Sequence, residues 1–155
     1  TGAMGSVYAA LLGDAGNEIW AVDSWAEHVA TMAQNGLTLE GASGKRTVKI
    51  NATTDSATVV TCNLVIIATK AMDVEVAAKG ARAMLGTDTV VLTIQNGLGS
   101  SAKVAAALGV ERVVLGVVGG FGTASSPADC WFSLLDLGVR NREPRLRNDL
   151  THRGN

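Results

Sequence analysis

The sequence predicts an α/β fold in which helices cover a mostly parallel, doubly wound sheet. Short apolar runs alternate with helix-like segments along most of the chain, which is the order typical of such folds. Several of these runs are apolar throughout, as expected of strands that are covered on both faces. Hydrophobic residues make up 47% of the 155 residues, so the chain can form the core of one domain.

The chain opens on the sequence Thr-Gly-Ala-Met-Gly, followed by a predicted helix over 3–15 that Gly16 ends. These five residues match the last five positions of G-x-G-x-x-G. The glycines of that motif let the backbone approach a pyrophosphate and let the helix pack close to the sheet. An alternative is a helix start that packs closely on a neighbour and binds nothing. The predicted phosphate-binding residues are Gly2, Ala3, Met4 and Gly5.

The first glycine of the motif and the strand before it are not in the sequence. We therefore expect a sheet that lacks its first strand, which is normally a central one. Both neighbouring strands would then have open edges. As given, the chain is expected to be poorly stable and inactive.

A predicted strand over 18–23 ends in Asp23, about 20 residues beyond the glycines, where dinucleotide-binding folds hold the ribose 2′-hydroxyl with an acid. We assign Asp23 and the adjacent Ser24 to the cofactor site. For Asp23, a helix cap or a solvated strand end is the alternative. A capping box over 24–27 predicts a second helix that ends near Gly36.

The later elements follow from the same patterns. A hairpin is predicted from strands over 37–40 and 47–50. Buried strands are predicted over 63–68, 89–94 and 112–118, and helices over 73–84, closed by Gly86, and 103–108. Residues 1–122 are assigned to a dinucleotide-binding domain. Residues 123–155 are assigned to a divergent tail, with one strand over 130–137 followed by disordered chain.

Polar and glycine residues follow the later strands at their carboxyl ends, where open α/β sheets bind ligands. Lys70 follows the first of these strands, Asn96 the second, and a glycine-rich bend that includes Gly120 the third. Lysine suits a carboxylate or carbonyl oxygen, and asparagine can donate and accept hydrogen bonds at once. A solvated lysine and an ordinary Asn-Gly turn are the alternatives.

The segments Gly-Ala-Met-Gly-Ser (2–6), Ile-Ala-Thr-Lys-Ala (67–71) and Ile-Gln-Asn-Gly-Leu-Gly (94–99) resemble the ketopantoate reductase (2-dehydropantoate 2-reductase) family. The resemblance covers residues 2–122. It implies a Rossmann-like domain and NADPH-dependent reduction of 2-dehydropantoate to pantoate, in pantothenate and coenzyme A biosynthesis. It also implies that Lys70 and Asn96 are catalytic residues lining the cofactor and substrate cleft. The family's principal acid–base lysine lies in a C-terminal helical domain, which we expect to be absent here.

Ser24 stands where the family tends to place an arginine for the NADP 2′-phosphate. Asp23 would repel that phosphate and would hydrogen-bond a free 2′-hydroxyl. NADPH is therefore the cofactor that the resemblance implies, and NADH is the alternative that Asp23 allows. Another hydroxyacid dehydrogenase of the same fold, or a non-catalytic nucleotide-sensing module, is the alternative function.

The composition of the chain argues against several classes of binding partner. The net charge of −1 argues against a nucleic-acid-binding protein, and no apolar run reaches the length of a membrane span. The two cysteines and two histidines show no metal-ligand spacing. We expect a cytoplasmic enzyme that acts on a small keto acid and binds no metal. A homodimer is one option for the full-length protein.

Overall fold

The computed structural model describes residues 1–41, 44–95, 99–118 and 120–134. Helices α1 to α4 span Ala3–Asp14, Ala26–Asn35, Val74–Ala81 and Ser100–Leu108. Within the described residues, strands β1 to β9 span Trp20–Val22, Leu37–Gly41, Gly44–Val48, Asn51–Thr53, Cys62–Ile67, Leu85–Thr93, Val113–Leu115, Gly120–Ser126 and Asp129–Leu134.

Parallel pairing connects the strands that alternate with helices. β1 pairs with β4, and β5, β6 and β7 pair side by side in that order, all in parallel. A further sheet has the order β3-β2-β9-β8. In this sheet the β2–β3 and β8–β9 hairpins are antiparallel, while β2 and β9 run parallel. The α/β class and the β2–β3 hairpin are therefore as the sequence predicts.

Two apolar clusters form the core, and β1 contributes to both. Ala21 belongs to the cluster that joins α1 and α2 to β2, in which Met32 and Leu37 are fully buried. Trp20 and Val22 pack against the cluster that joins α3 and α4 to β5 and β6. Successive side chains of a strand point to opposite faces, so this short strand links the two halves of the core.

The described strands form three separate hydrogen-bonded sheets, each with parallel pairing, instead of the single sheet that the sequence predicts. Among the described strands, β1 pairs only with β4, and β5 pairs only with β6. Burial also differs from the prediction, because the side chains of Leu64 in β5 and Val90 in β6 remain 44% and 41% exposed. Helices α3 and α4 pack on the face that carries Val65 and Val91. The prediction that both faces of these strands are buried is therefore wrong at Leu64 and Val90.

Two predicted element boundaries are wrong. Helix α2 begins at Ala26, and the Ser24 side chain does not cap it. Instead the Asp23 carboxylate accepts the backbone N–H of the preceding residue, Trp25, at 2.9 Å. Gly86 does not close the third helix, because α3 passes into the 3₁₀ turn Arg82–Met84 and Gly86 lies within β6.

The glycine-rich segment that includes Gly120 contributes to a strand and does not form the predicted bend. Gly120 is the first residue of β8, and the strand predicted over 112–118 is confined to β7, Val113–Leu115. The domain boundary predicted after Gly122 falls within β8 and remains a prediction. β9 provides the strand expected in the tail, and residues 135–155 lie outside the described part of the chain.

Candidate cofactor-binding site

The glycine loop at the start of α1 packs against the end of β5. A Cβ atom added at Gly5 would lie 3.4 Å from the Ala68 Cβ and equally close to Thr1, so a larger side chain would push the helix away. Gly2 is exposed, and a Cβ atom added there would meet no protein atom within 4 Å. Close packing therefore explains the glycine at position 5. The open side of Gly2 is instead a place where a ligand could approach the backbone.

The rest of the loop forms the helix start that an anion would need. Ala3 and Met4 occupy the first turn of α1, and both are half-buried. The first N–H groups of a helix have no partner within it and attract anions. No side chain caps this helix, because Gly2 stands at the capping position.

Asp23 lies directly beyond β1 and beside the glycine loop. Its Oδ2 lies 2.6 Å from the amino group of Thr1, and that same amino group donates to the Val22 carbonyl at 2.8 Å. Burial alone would raise the pKa of the Asp23 carboxyl. Hydrogen bonds from the Thr1 ammonium and the Trp25 N–H, together with the charge of that ammonium, lower the pKa overall. An aspartate with a pKa below its ordinary value is ionised at neutral pH, as a partner for a ribose hydroxyl would be, and the Trp25 N–H favours this form independently of the amino group at the start of the sequence.

Lys70 leaves the sheet at the same edge as the glycine loop. β5 ends at Ile67, and Ala68, which the loop contacts, lies two residues before Lys70. The Lys70 carbonyl accepts the Asp73 N–H at 3.0 Å in the turn that leads into α3, and the side chain is exposed. Asn96, the other predicted catalytic residue, lies outside the described residues.

Gln95 is a site-edge residue that the sequence analysis did not select. It is buried, and its Nε2 donates to the Ile67 carbonyl at 2.7 Å and to the Thr69 carbonyl at 3.2 Å. Its Oε1 accepts the hydroxyl of Thr93. The sequence does show a glutamine directly after an apolar run. A buried amide at such a position needs hydrogen-bond partners within the protein, and this is the pattern that could have identified Gln95. The hydroxyl of Thr69 is also buried and has no hydrogen-bond partner among the described residues.

Behind Asp23, a buried histidine ties α2 to the turn between β8 and β9. The His28 Nδ1 accepts the Ala128 N–H at 2.9 Å, and its Nε2 has no partner within the described part of the chain. Trp25 stacks on this ring with the centroids 5.3 Å apart and remains 45% exposed. Burial lowers the pKa of His28, the charge of Asp23 opposes this, and the Thr1 ammonium adds to the lowering.

We expect the folded chain to lose stability as the pH falls below 6.5, because the folded state resists protonation of His28 more than the unfolded state does. Above that pH the imidazole is neutral in both the folded and the unfolded state, so His28 causes no loss of folding stability. Below it, one unmatched proton costs up to about 1.4 kcal/mol per pH unit. Denaturant unfolding between about pH 7.5 and about pH 5, the range over which this titration acts, measures the effect.

The control variant is His28→Asn, which keeps an acceptor near the Nδ1 position and does not titrate. The difference in unfolding free energy between the parent chain and this variant isolates His28 from the other groups that titrate. If the unfolding free energy of the variant falls with pH as steeply as that of the parent chain, the prediction is contradicted.

The three placed features fit a dinucleotide across this edge of the sheet. The open backbone at Gly2 suits a pyrophosphate, the ionised Asp23 suits a ribose hydroxyl, and the Lys70 side chain suits a negative group beyond the nicotinamide. Within the residues that the structure describes, no group of three His, Cys, Asp or Glu side chains could hold a metal ion. In the same residues, no helix has both the length and the apolar character needed to cross a bilayer.

Comparison with known proteins gives a consistent result. A family model described as Ketopantoate reductase PanE/ApbA matches residues 1–135. The 2-dehydropantoate 2-reductase of Streptococcus pyogenes serotype M3 is 29% identical over 99 residues, which are 64% of this chain and 32% of that protein. The chain therefore spans about a third of the length of the curated relatives that it matches.

Solved structures resemble the fold over most of the chain. The 2-dehydropantoate 2-reductase of Geobacter metallireducens GS-15 has a TM-score of 0.79 at 25% identity, covering 85% of this chain and 44% of that one. A D-mandelate dehydrogenase in complex with NADH and anilino(oxo)acetate has a TM-score of 0.78 at 27% identity, covering 85% and 43%. These likenesses confirm the predicted Rossmann-like, mostly parallel α/β class.

Proposed function

Because the chain belongs to the ketopantoate reductase PanE/ApbA family, we propose that it is the cofactor-binding part of an oxidoreductase that reduces 2-dehydropantoate to pantoate. The observation that supports this most directly is the contact of the glycine loop with the end of β5. Through Gly5 and Ala68, this contact brings the open backbone at Gly2 to the edge from which Lys70 leaves the sheet. A single dinucleotide can reach from the glycine loop towards Lys70 only if both lie at the same edge of the sheet.

We propose a nicotinamide dinucleotide as the cofactor. The family resemblance favours NADPH, whereas the ionised Asp23 favours NADH, because a carboxylate repels a 2′-phosphate and accepts a hydrogen bond from a free 2′-hydroxyl. The D-mandelate dehydrogenase of similar fold was solved with NADH. Residues 1–122 would form the cofactor-binding domain. The proposed cofactor-binding residues are Gly2, Ala3, Met4, Gly5, Asp23, Ser24, Lys70, Asn96 and Gly120.

The nicotinamide would supply the hydride for the ketone carbon. The contribution of this chain is to hold the dinucleotide and to orient the substrate. Lys70 would attract the carboxylate or the carbonyl oxygen of the keto acid through its charge. Asn96 would hydrogen-bond the substrate or the nicotinamide ribose through its amide.

A second candidate function is the reduction of a different 2-keto acid. The likeness to D-mandelate dehydrogenase, with a TM-score of 0.78, specifically favours it, because one fold accommodates several hydroxyacid dehydrogenases. The two candidates share the cofactor site and differ in the keto acid that is turned over. Parallel assays with 2-dehydropantoate and phenylglyoxylate therefore separate them.

The test uses the intact gene product that carries this chain. We expect it to bind NADPH or NADH in a fluorescence titration and to oxidise the bound cofactor when 2-dehydropantoate is added. Lys70→Ala should lower kcat/KM at least about fivefold, which corresponds to ~1 kcal/mol of lost transition-state stabilisation, the scale of one lost hydrogen bond. The matched control is Lys79→Ala, an exposed lysine on α3 that, among the residues that the structure describes, pairs with Glu75 alone at the surface.

Failure to bind either dinucleotide would overturn the proposed function. Binding and turnover that are the same in Lys70→Ala as in the parent protein would remove Lys70 from the site and leave the cofactor assignment intact.

A further inference from the structure

We propose that Gln95 is a positioning residue whose amide fixes the turn that carries Lys70. The proposal rests on the proposed function for its effect on ligand binding. Its structural part can be tested without any ligand.

Backbone hydrogen bonds between β5 and β6 end close to Gln95, and beyond that point the Gln95 side chain provides the hydrogen bonds between the two segments. The last paired residues are Ile67 and Thr93, and beyond them a single long backbone bond, 3.4 Å, joins the Ile94 N–H to the Ile67 carbonyl. The Gln95 Nε2 then donates to the Ile67 carbonyl at 2.7 Å and to the Thr69 carbonyl at 3.2 Å. The side chain therefore extends the strand pairing by two residues past the point where the backbones separate.

This contact holds Lys70 from its amino-terminal side. The Thr69 carbonyl is bound by the Gln95 amide, and the next carbonyl, that of Lys70, accepts the Asp73 N–H at 3.0 Å. The backbone at Lys70 is thus fixed on both sides, while its side chain remains exposed.

The orientation of the amide is set from within the sheet. Thr93 is fully buried, and its hydroxyl donates to the Gln95 Oε1, which leaves Nε2 to face the two carbonyls. Each polar atom of the Gln95 side chain has a partner. Neutral hydrogen bonds of this kind add little net stability, so the main consequence of the contact is a defined geometry at the strand ends.

The decisive variant is Gln95→Met, which keeps the length of the side chain and removes all three hydrogen bonds. The matched control is Thr89→Val, at the opposite end of the same two strands. The Thr89 hydroxyl donates to the Cys62 carbonyl at 2.6 Å and accepts the Gly86 N–H at 2.7 Å. Both variants remove a buried link between β5 and β6, but only Gln95 adjoins the candidate site.

The first measurement is hydrogen exchange of the ligand-free chain. We expect Gln95→Met to speed exchange in the peptide over 68–73, and Thr89→Val to speed it near 62 and 86 instead. Unchanged exchange over 68–73 in Gln95→Met would overturn the proposal. This comparison is decisive even for a protein that binds neither dinucleotide, a result that would overturn the proposed function separately.

The second measurement is NADPH and NADH affinity, with kcat and KM, in the intact gene product. Misplacing a binding group by about 1 Å weakens its action by one to two orders of magnitude, so we expect at least about a tenfold loss in kcat/KM for Gln95→Met. Thr89→Val should lower thermal stability and leave kcat/KM unchanged. Equal losses of kcat/KM in the two variants would show that Gln95 acts only through stability and would overturn its positioning role.

Discussion

Replacing Gly2 is expected to weaken dinucleotide binding by about tenfold with alanine and about 100-fold with valine, because each added carbon occupies space that the pyrophosphate needs. The folded chain itself places no such demand on Gly2, since an added Cβ would meet no protein atom within 4 Å. The free energy of unfolding should therefore change by less than about 1 kcal/mol, the scale of a poorer helix N-cap. Isothermal titration with NADPH and NADH, beside denaturant unfolding, measures both quantities.

Gly80→Ala is the matched control for this series. Gly80 lies within α3, where an added Cβ would make an ordinary contact at 3.5 Å with Ser56, and it is remote in the chain from the glycine loop. Its affinity for both dinucleotides should equal that of the parent protein. If Gly2→Val binds as tightly as the parent, or loses affinity only in proportion to a loss of stability, then the glycine loop does not contact the cofactor.

The features that sequence analysis predicts best are those whose physics is local. The glycines at the start of α1 and the acid after β1 are recognisable because each needs only its own backbone or its place at a strand end. The order of strands and helices follows from apolar runs and helix stops, such as Gly36 after α2. Lys70 follows shortly after the end of β5, where residues beyond parallel strands gather, and its role in the site stays a prediction.

The features that were missed depend on contacts between distant parts of the chain. The Gln95 amide donates to two carbonyl groups more than 20 residues earlier in the chain, one at the end of β5 and one just beyond it. No residue near Gln95 in the sequence predicts these contacts. The three-residue strand β4, Asn51–Thr53, gains its strand character from pairing with β1 and has no pattern of its own. Ser24 has the right neighbours for a helix cap, but Asp23 already accepts the Trp25 N–H, and the helix begins later. Tertiary contacts decide the structure at Gln95 and β4, whereas at Ser24 one local interaction, the Asp23–Trp25 hydrogen bond, replaces another.

Gly36→Ala is expected to lower the free energy of unfolding by about 3 kcal/mol, the largest stability effect that we predict for a single methyl group. Gly36 joins the end of α2 to β2 with φ at +84° and ψ at −179°, a region that is essentially restricted to glycine and costs another residue about 1–3 kcal/mol. The added Cβ would also lie 2.8 Å from the Val48 carbonyl oxygen, which belongs to the backbone of the β2–β3 hairpin. A backbone oxygen cannot rotate away as a side chain can, so the hairpin or the helix end must shift.

Gly16→Ala separates the two parts of that cost. Gly16 has φ at +88° and nothing within 4 Å of an added Cβ, so its substitution should cost only the backbone term, about 1–2 kcal/mol. The excess loss in Gly36→Ala then measures the contact with Val48 together with the cost of the extended ψ at Gly36, and denaturant midpoints at constant slope give both losses. Equal losses in the two variants would mean that the Val48 carbonyl moves aside without cost. That outcome would contradict a rigid junction between α2 and the β2–β3 hairpin, and with it the assumption that this half of the core is closely packed.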